Sequence, residues 1–161
     1  MVTVGGSEAI DIALRAMLNP GDEVLIPQPS YVSYLPCTIM ADGVPVIIPL
    51  QYENEFKLTV EDLKKAVTPK TKVLVMPFPN NPTGSIMTKA DLEPVAEFIK
   101  EHDLYVLSMR IYSEVKLSGR SRFNCSSARD EGENDRDQRI FQRLCHDRMA
   151  SGILLRTKAD H

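Results

Sequence analysis

Four short segments carry residue types whose chemistry goes beyond building structure. Gly5-Gly6-Ser7 stands directly before a helical pattern. There, glycines let a ligand approach the backbone, and free amides with the helix dipole favour an anion. Tyr31-Val32-Ser33-Tyr34 offers two aromatic rings that can stack on a planar ligand or fill a core. Asn80-Asn81-Pro82-Thr83-Gly84 follows an apolar strand, the place where a doubly wound sheet binds ligands. Ser108 to Tyr112 sits at the end of another strand. Each segment also has a plain structural explanation, because glycine before a helix is a common turn device and Asn-Pro and Thr-Gly are ordinary turn formers.

The elements that must position these segments alternate along the chain. Ser7 to Leu18 places Ile10, Leu14, Met17 and Leu18 at helical spacing, and Asn19-Pro20-Gly21-Asp22 ends the helix. Glu23 to Pro27 reads as a strand, Ser30 to Ala41 as a helix, and Val44 to Leu50, dense in Val and Ile, as a second strand despite its prolines. Thr59 and Thr88 each precede an acidic residue three positions on, which predicts capped helices in TVEDLKKAV and TKADLEPVAEFIKEH. Lys72 to Met76 and Leu104 to Ser108 are apolar without alternation, the pattern of strands buried on both faces. This order predicts an α/β fold: a mostly parallel sheet with helices on both faces.

Composition narrows the classes further. The 161 residues suffice for about one domain, and 43% apolar with 25% charged residues is a globular balance. No stretch approaches the roughly 18 consecutive apolar residues of a membrane span, and the first residues lack the pattern of a signal peptide, so a cytoplasmic protein without a membrane partner is expected. Cys37, Cys125 and Cys145 are far apart, as are His102, His146 and His161, so no metal is assigned. Usage breaks near Arg110: nine of ten arginines lie at or after it, and all eleven prolines lie at or before Pro94. After Gly119 the apolar pattern fails, and only a weak amphipathic stretch with Ile140, Phe141, Leu144 and Cys145 follows, read as a frayed helix and tail. The arginines there are interleaved with acids and no aromatic platform forms, which argues against a nucleic-acid partner.

Taken in order, GGSEA, PSYVSY, PFPNNPTG and the segment Ser108 to Glu114 resemble the class I/II aminotransferases, pyridoxal-phosphate enzymes of the aspartate aminotransferase fold type. The likeness covers about residues 1 to 120, and PGDEVLIPQPSYVSY and NNPTG match in both order and spacing. It implies that 1–119 is a partial pyridoxal-phosphate-binding large domain and that 120–161 is an irregular, divergent tail. The implied cofactor is pyridoxal 5'-phosphate, the implied substrates are an amino acid and a 2-oxo acid, and the family's usual assembly is a homodimer. By the resemblance, backbone amides and the hydroxyl around Gly6, Ser7 and Glu8 hold the phosphate. Tyr31 stacks on the pyridine ring, and Asn81 and Tyr112 hydrogen-bond the phenolic oxygen. Related lyases, including those that eliminate from sulfur amino acids, share these motifs.

The chain also departs from the family. Where the family reads S-D-E-I-Y, this sequence has Ser108-Met109-Arg110-Ile111-Tyr112, so a methionine replaces the aspartate that keeps the pyridine nitrogen protonated. The lysines after Ser108 are Lys116 and Lys158, neither in the Ser-Lys context of the family's Schiff-base lysine, so no catalytic residue is assigned. If Asp-Glu were encoded GAT-GAG, loss of the first base and gain of a G after the sixth gives ATG-AGG, Met-Arg. The expectation is therefore a fragment, out of frame from about Arg120, that does not turn over as written. The alternative of a truncated, non-catalytic product, either unfolded or a weak phosphate-ligand binder, stays open beside the enzyme reading.

Overall fold

The computed structural model describes residues 3–109 and, as backbone, the strands at 140–146 and 149–156. In chain order, the elements are α1 (Gly6–Met17), β1 (Glu23–Gln28), α2 (Tyr34–Met40), β2 (Val44–Pro49), α3 (Val60–Ala66), β3 (Thr71–Met76), α4 (Lys89–Glu101), β4 (Tyr105–Met109), β5 (Ile140–His146) and β6 (Met149–Arg156). One sheet holds all the strands in the order β2-β1-β3-β4-β6-β5. The four strands from β2 to β4 are parallel, and β6 and β5 join antiparallel, so the sheet is mostly parallel.

Side-chain alternation splits the core into two layers. Val24, Ile26, Val73, Val75, Leu107 and Met109 face α1 and α2, where Ile10, Leu14 and Cys37 meet them. Leu25, Leu74, Met76 and Val106 face the other way, against Leu63 of α3 and Leu92, Val95 and Phe98 of α4. Helices thus cover both faces, which a parallel sheet needs because each crossover must pack back onto it.

Local chemistry explains the boundaries. Thr59 and Thr88 each accept a hydrogen bond from the amide three residues on, and the Asp62 and Asp91 carboxylates in turn accept one from the capping residue's amide, closing both capping boxes. The helix expected from Ser30 begins only at Tyr34. Pro36 has no N–H to give the Val32 carbonyl, so a helix includes it at least cost within the first turn. Pro94 does lie inside α4, but it and Ala90, whose carbonyl loses a partner, are both exposed to water. Pro45 and Pro49 are tolerated because β2 is an edge strand, paired with β1 alone.

The sequence expectation fails around residues 140–145. The frayed helix read from Ile140, Phe141, Leu144 and Cys145 is instead strand β5, paired with β6, which in turn pairs with β4. Without β6, β4 would present a row of unpaired backbone groups, and satisfying that edge outweighs a weak helical periodicity. The boundary expected at 119/120, and Arg110, Tyr112, Lys116 and Lys158, lie outside the described residues.

Candidate functional site

The sheet order places a crevice where the chain reverses direction. From β1 the connection through α2 runs outward to β2, and the next connection, through α3, crosses back to β3 on the other side of β1. The loops leaving β1 and β3 therefore diverge at their carboxyl ends, which is the ligand position of open α/β sheets. Asn80 ties the two loops together, its side-chain Nδ2 donating to the Pro29 carbonyl at 2.8 Å.

A cleft of about 140 Å³ opens there, lined by Gly6, Ser7, Tyr31, Tyr34, Pro77, Pro79, Asn81 and Met109. Its anion-seeking wall is the start of α1. Gly5 holds φ 87° and ψ 177°, and no side chain caps the helix. The amide of Ala9 is the first to bond back, to the Gly5 carbonyl at 3.4 Å. The amides of Gly6, Ser7 and Glu8 are thus left without an intrahelical acceptor, at the positive end of the helix dipole.

The aromatic wall comes from the turn after β1. Tyr31 and Tyr34 meet edge to face, with centroids 6.0 Å apart and planes at 87°, an arrangement that fixes both rings. The Tyr31 hydroxyl lies 3.0 Å from Ser7 Oγ, joining the aromatic wall to the helix start. Hydrogen bonds from the Ser33 and Ser7 hydroxyls hold the Tyr31 phenol below its ordinary range. Asn81, Pro77 and Pro79 come from the loop after β3. Met109, the last residue of β4, is 6% exposed.

Of the residues singled out by sequence, the structure brings Gly6, Ser7, Tyr31 and Asn81 to one cleft. Glu8 is present only through its backbone at the start of α1. Its side chain is exposed, and its carboxylate accepts a hydrogen bond from the Val4 amide. Tyr112 lies outside the described residues. Tyr34, the second ring of the YVSY segment, also lines the cleft, as do Pro77 and Pro79, to which the sequence reading gives no role. The signal was present, since they lie within the YVSY and PFPNNP segments already marked. Among the described residues there is no group of three or more side chains able to hold a metal, and no helix long and apolar enough to cross a membrane.

The fold and the cleft define a parallel α/β domain with an anion end, an aromatic platform and a polar amide at its switch point. The sequence matches the model of the family "Aminotransferase class I and II" over residues 1–131. It is 46% identical over 127 residues to an aromatic-amino-acid aminotransferase of Thermococcus litoralis, covering 79% of this chain and 33% of that protein. It is 53% identical over 112 residues to an aspartate aminotransferase of Pyrococcus abyssi, covering 70% and 29%. A solved aspartate aminotransferase double mutant from Thermus thermophilus superimposes with a TM-score of 0.75 at 40% identity, over 80% of this chain and 34% of that one. The chain belongs to the class I and II aminotransferase family, whose members depend on pyridoxal phosphate. It spans about a third of the length of these relatives.

The cleft fits part of that cofactor. Unpaired helix amides and the Ser7 hydroxyl suit its phosphate, the Tyr31 ring suits a planar heterocycle, and Asn81 is a neutral polar contact. The described lining has no carboxylate to pair with a protonated ring nitrogen and no amine for covalent attachment.

Proposed function

We propose that residues 1–119 are the phosphate- and ring-binding part of an aminotransferase that moves an amino group from an amino acid to a 2-oxo acid, with 120–161 a divergent tail. The observation that carries this reading is the meeting of Gly6 and Ser7 from the start of α1, Tyr31 from the loop after β1 and Asn81 from the loop after β3 on one cleft at the switch point. When bound, pyridoxal phosphate supplies the electron-withdrawing ring on which such chemistry depends. The chain's own share is binding and orientation. The amides of Gly6, Ser7 and Glu8, with the Ser7 hydroxyl, hold the phosphate. Tyr31 stacks on the ring, and Asn81 and Tyr112 fix its rotation through the phenolic oxygen. A cytoplasmic location and a homodimer belong to the same reading, on the strength of the family alone.

A second reading is favoured by one observation: Met109 brings a thioether to the cleft, and no charged side chain is among its described lining residues. The 161-residue chain then binds cofactor without turning over. Equilibrium dialysis with pyridoxal 5'-phosphate tests the binding common to both readings. Ser7→Ala removes a hydrogen bond to a charged group, worth about 1.5–3 kcal/mol, so its Kd should rise at least about tenfold. Wild-type binding no tighter than that of the Ser7→Ala, Tyr31→Ala double variant refutes the cofactor site. Transamination above a cofactor-only control refutes the non-catalytic reading.

A further inference from the structure

We infer, resting on the cofactor reading above, that the cleft takes its ligand with an uncharged ring: it is a site for the phosphate ester of a neutral heteroaromatic, and Met109 helps to exclude the ring-protonated form. Away from the helix start, the described wall consists of two phenols, two prolines, one carboxamide and one thioether. None is a carboxylate, and a thioether sulfur is only a weak acceptor. Tyr34 and Met109 are 3% and 6% exposed, so a ring nitrogen near them gives up its water.

The described charged groups on the surrounding elements are engaged elsewhere. On α1, Asp11 pairs with Arg15 at 3.0 Å, and the Glu8 carboxylate is hydrogen-bonded by the Val4 amide. On α2, burial pushes the Cys37 thiol up, so it stays neutral. Asp22 and Glu23 lie at the opposite end of β1, bonded to Lys72 and to Thr68 and Thr71. Tyr105 begins β4, at the far end of that strand from Met109. Asp91 pairs with Lys57 on the other face of the sheet.

A protonated ring in this cleft would lose hydration without gaining a counter-charge, and desolvation alone favours the neutral form. Attraction of a cation to the Tyr31 face works the other way, but it is small beside the lost hydration. The phosphate, at the α1 end, keeps its charge against the free amides. One ligand is thus split between a wall that wants an anion and a wall that tolerates no charge.

The test uses 4-deoxypyridoxine 5'-phosphate labelled with 15N in the ring. It lacks the aldehyde, so surface lysines cannot capture it. Dialysis measures binding to the 161-residue chain, and the 15N shift across pH reports the protonation of the bound ring. We expect the bound nitrogen to titrate at least about one unit below that of the free ligand, an approximately tenfold loss of proton affinity. Met109→Leu should behave as wild type, and Met109→Asp should return the nitrogen to the free-ligand value or above. A wild-type bound ring that stays protonated to the free-ligand pKa overturns the inference and leaves the cofactor reading standing. Absence of binding overturns that reading as well. The wild-type measurement decides even where Met109→Asp does not fold.

Discussion

Replacing Gly5 with alanine tests whether the anion end of the cleft is held by backbone conformation. At φ 87° and ψ 177°, Gly5 occupies a region that residues with an L side chain avoid, and a Cβ built there meets no atom within 4 Å. The cost is therefore conformational and not steric: about 1–3 kcal/mol for holding an L residue in such a region, or about 5- to 150-fold in the unfolding constant. With a urea m-value near 2 kcal/mol/M, the midpoint should fall by roughly 0.5–1.5 M. If the backbone relaxes instead, the peptide before Gly6 turns and its amide leaves the cleft, so affinity for inorganic phosphate falls while the midpoint moves less. A D-alanine at position 5, installed by ligating a synthetic 1–36 peptide at Cys37, separates conformation from side-chain volume. Its mirror-image preference matches the observed angles, so it should be neutral or stabilise by about 0.4–1 kcal/mol through the unfolded chain. Equal losses for the two alanines would refute the conformational argument.

Two further outcomes follow from packing and from charge. Leu74 is fully buried at the centre of β3 among Leu25, Leu63 and Phe98, and Leu74→Ala should cost about 2–5 kcal/mol in urea unfolding, with the higher values if the site does not collapse. The hydrogen bond from Lys72 holds the Asp22 carboxyl below the usual carboxylate range, and bonding to the Thr88 amide does the same for Asp91. A depressed folded pKa stabilises the protein above the unfolded carboxylate range and loses that contribution as pH falls through the lower folded values. Stability measured by urea unfolding should thus decline on acidification below the ordinary carboxylate range. Lys72→Met should flatten the Asp22 part of that decline, and an unchanged acid limb in this variant would remove Asp22 from the account.

The parts legible in the sequence are those fixed by local chemistry. Thr59 and Thr88 announce their helices because the capping box is closed by residues three apart. The segments Lys72 to Met76 and Leu104 to Ser108 announce buried strands because both faces of a parallel sheet are covered. The parts that were not legible depend on distant partners. Whether Ser30 to Val32 is helix or turn is decided by Pro36 together with the need for Tyr31 to reach Ser7, 24 residues earlier. The strand at Ile140–His146 depends on the open edge of β4, which the spacing of Ile140, Phe141, Leu144 and Cys145 does not contain. The cleft followed the same division. Gly6, Ser7, Tyr31 and Asn81 were marked by motif, whereas Pro77 and Pro79 gained a place only when the loops after β1 and β3 were brought together.

Met109 shows why the sheet and the cleft make opposing demands on one residue. It belongs to the same buried cluster as Leu107, Val75 and Ile10, and in packing terms an unbranched apolar side chain at the end of β4 is well suited. A carboxylate at that position would be buried against the α1 and α2 layer. It would lack a described cationic partner, which is expensive for the ligand-free fold. Only a bound ligand with a positive ring would offset that cost, so a carboxylate there trades stability of the empty domain for control of the ligand's charge. With methionine the balance runs the other way. The scaffold keeps an apolar core up to the floor of the cleft, and in the proposed site the α1 end would hold the anion while the ring goes without a counter-charge. On the proposed reading, the side chain that suits the packing at the end of β4 is also the one that leaves a bound ring without a counter-charge.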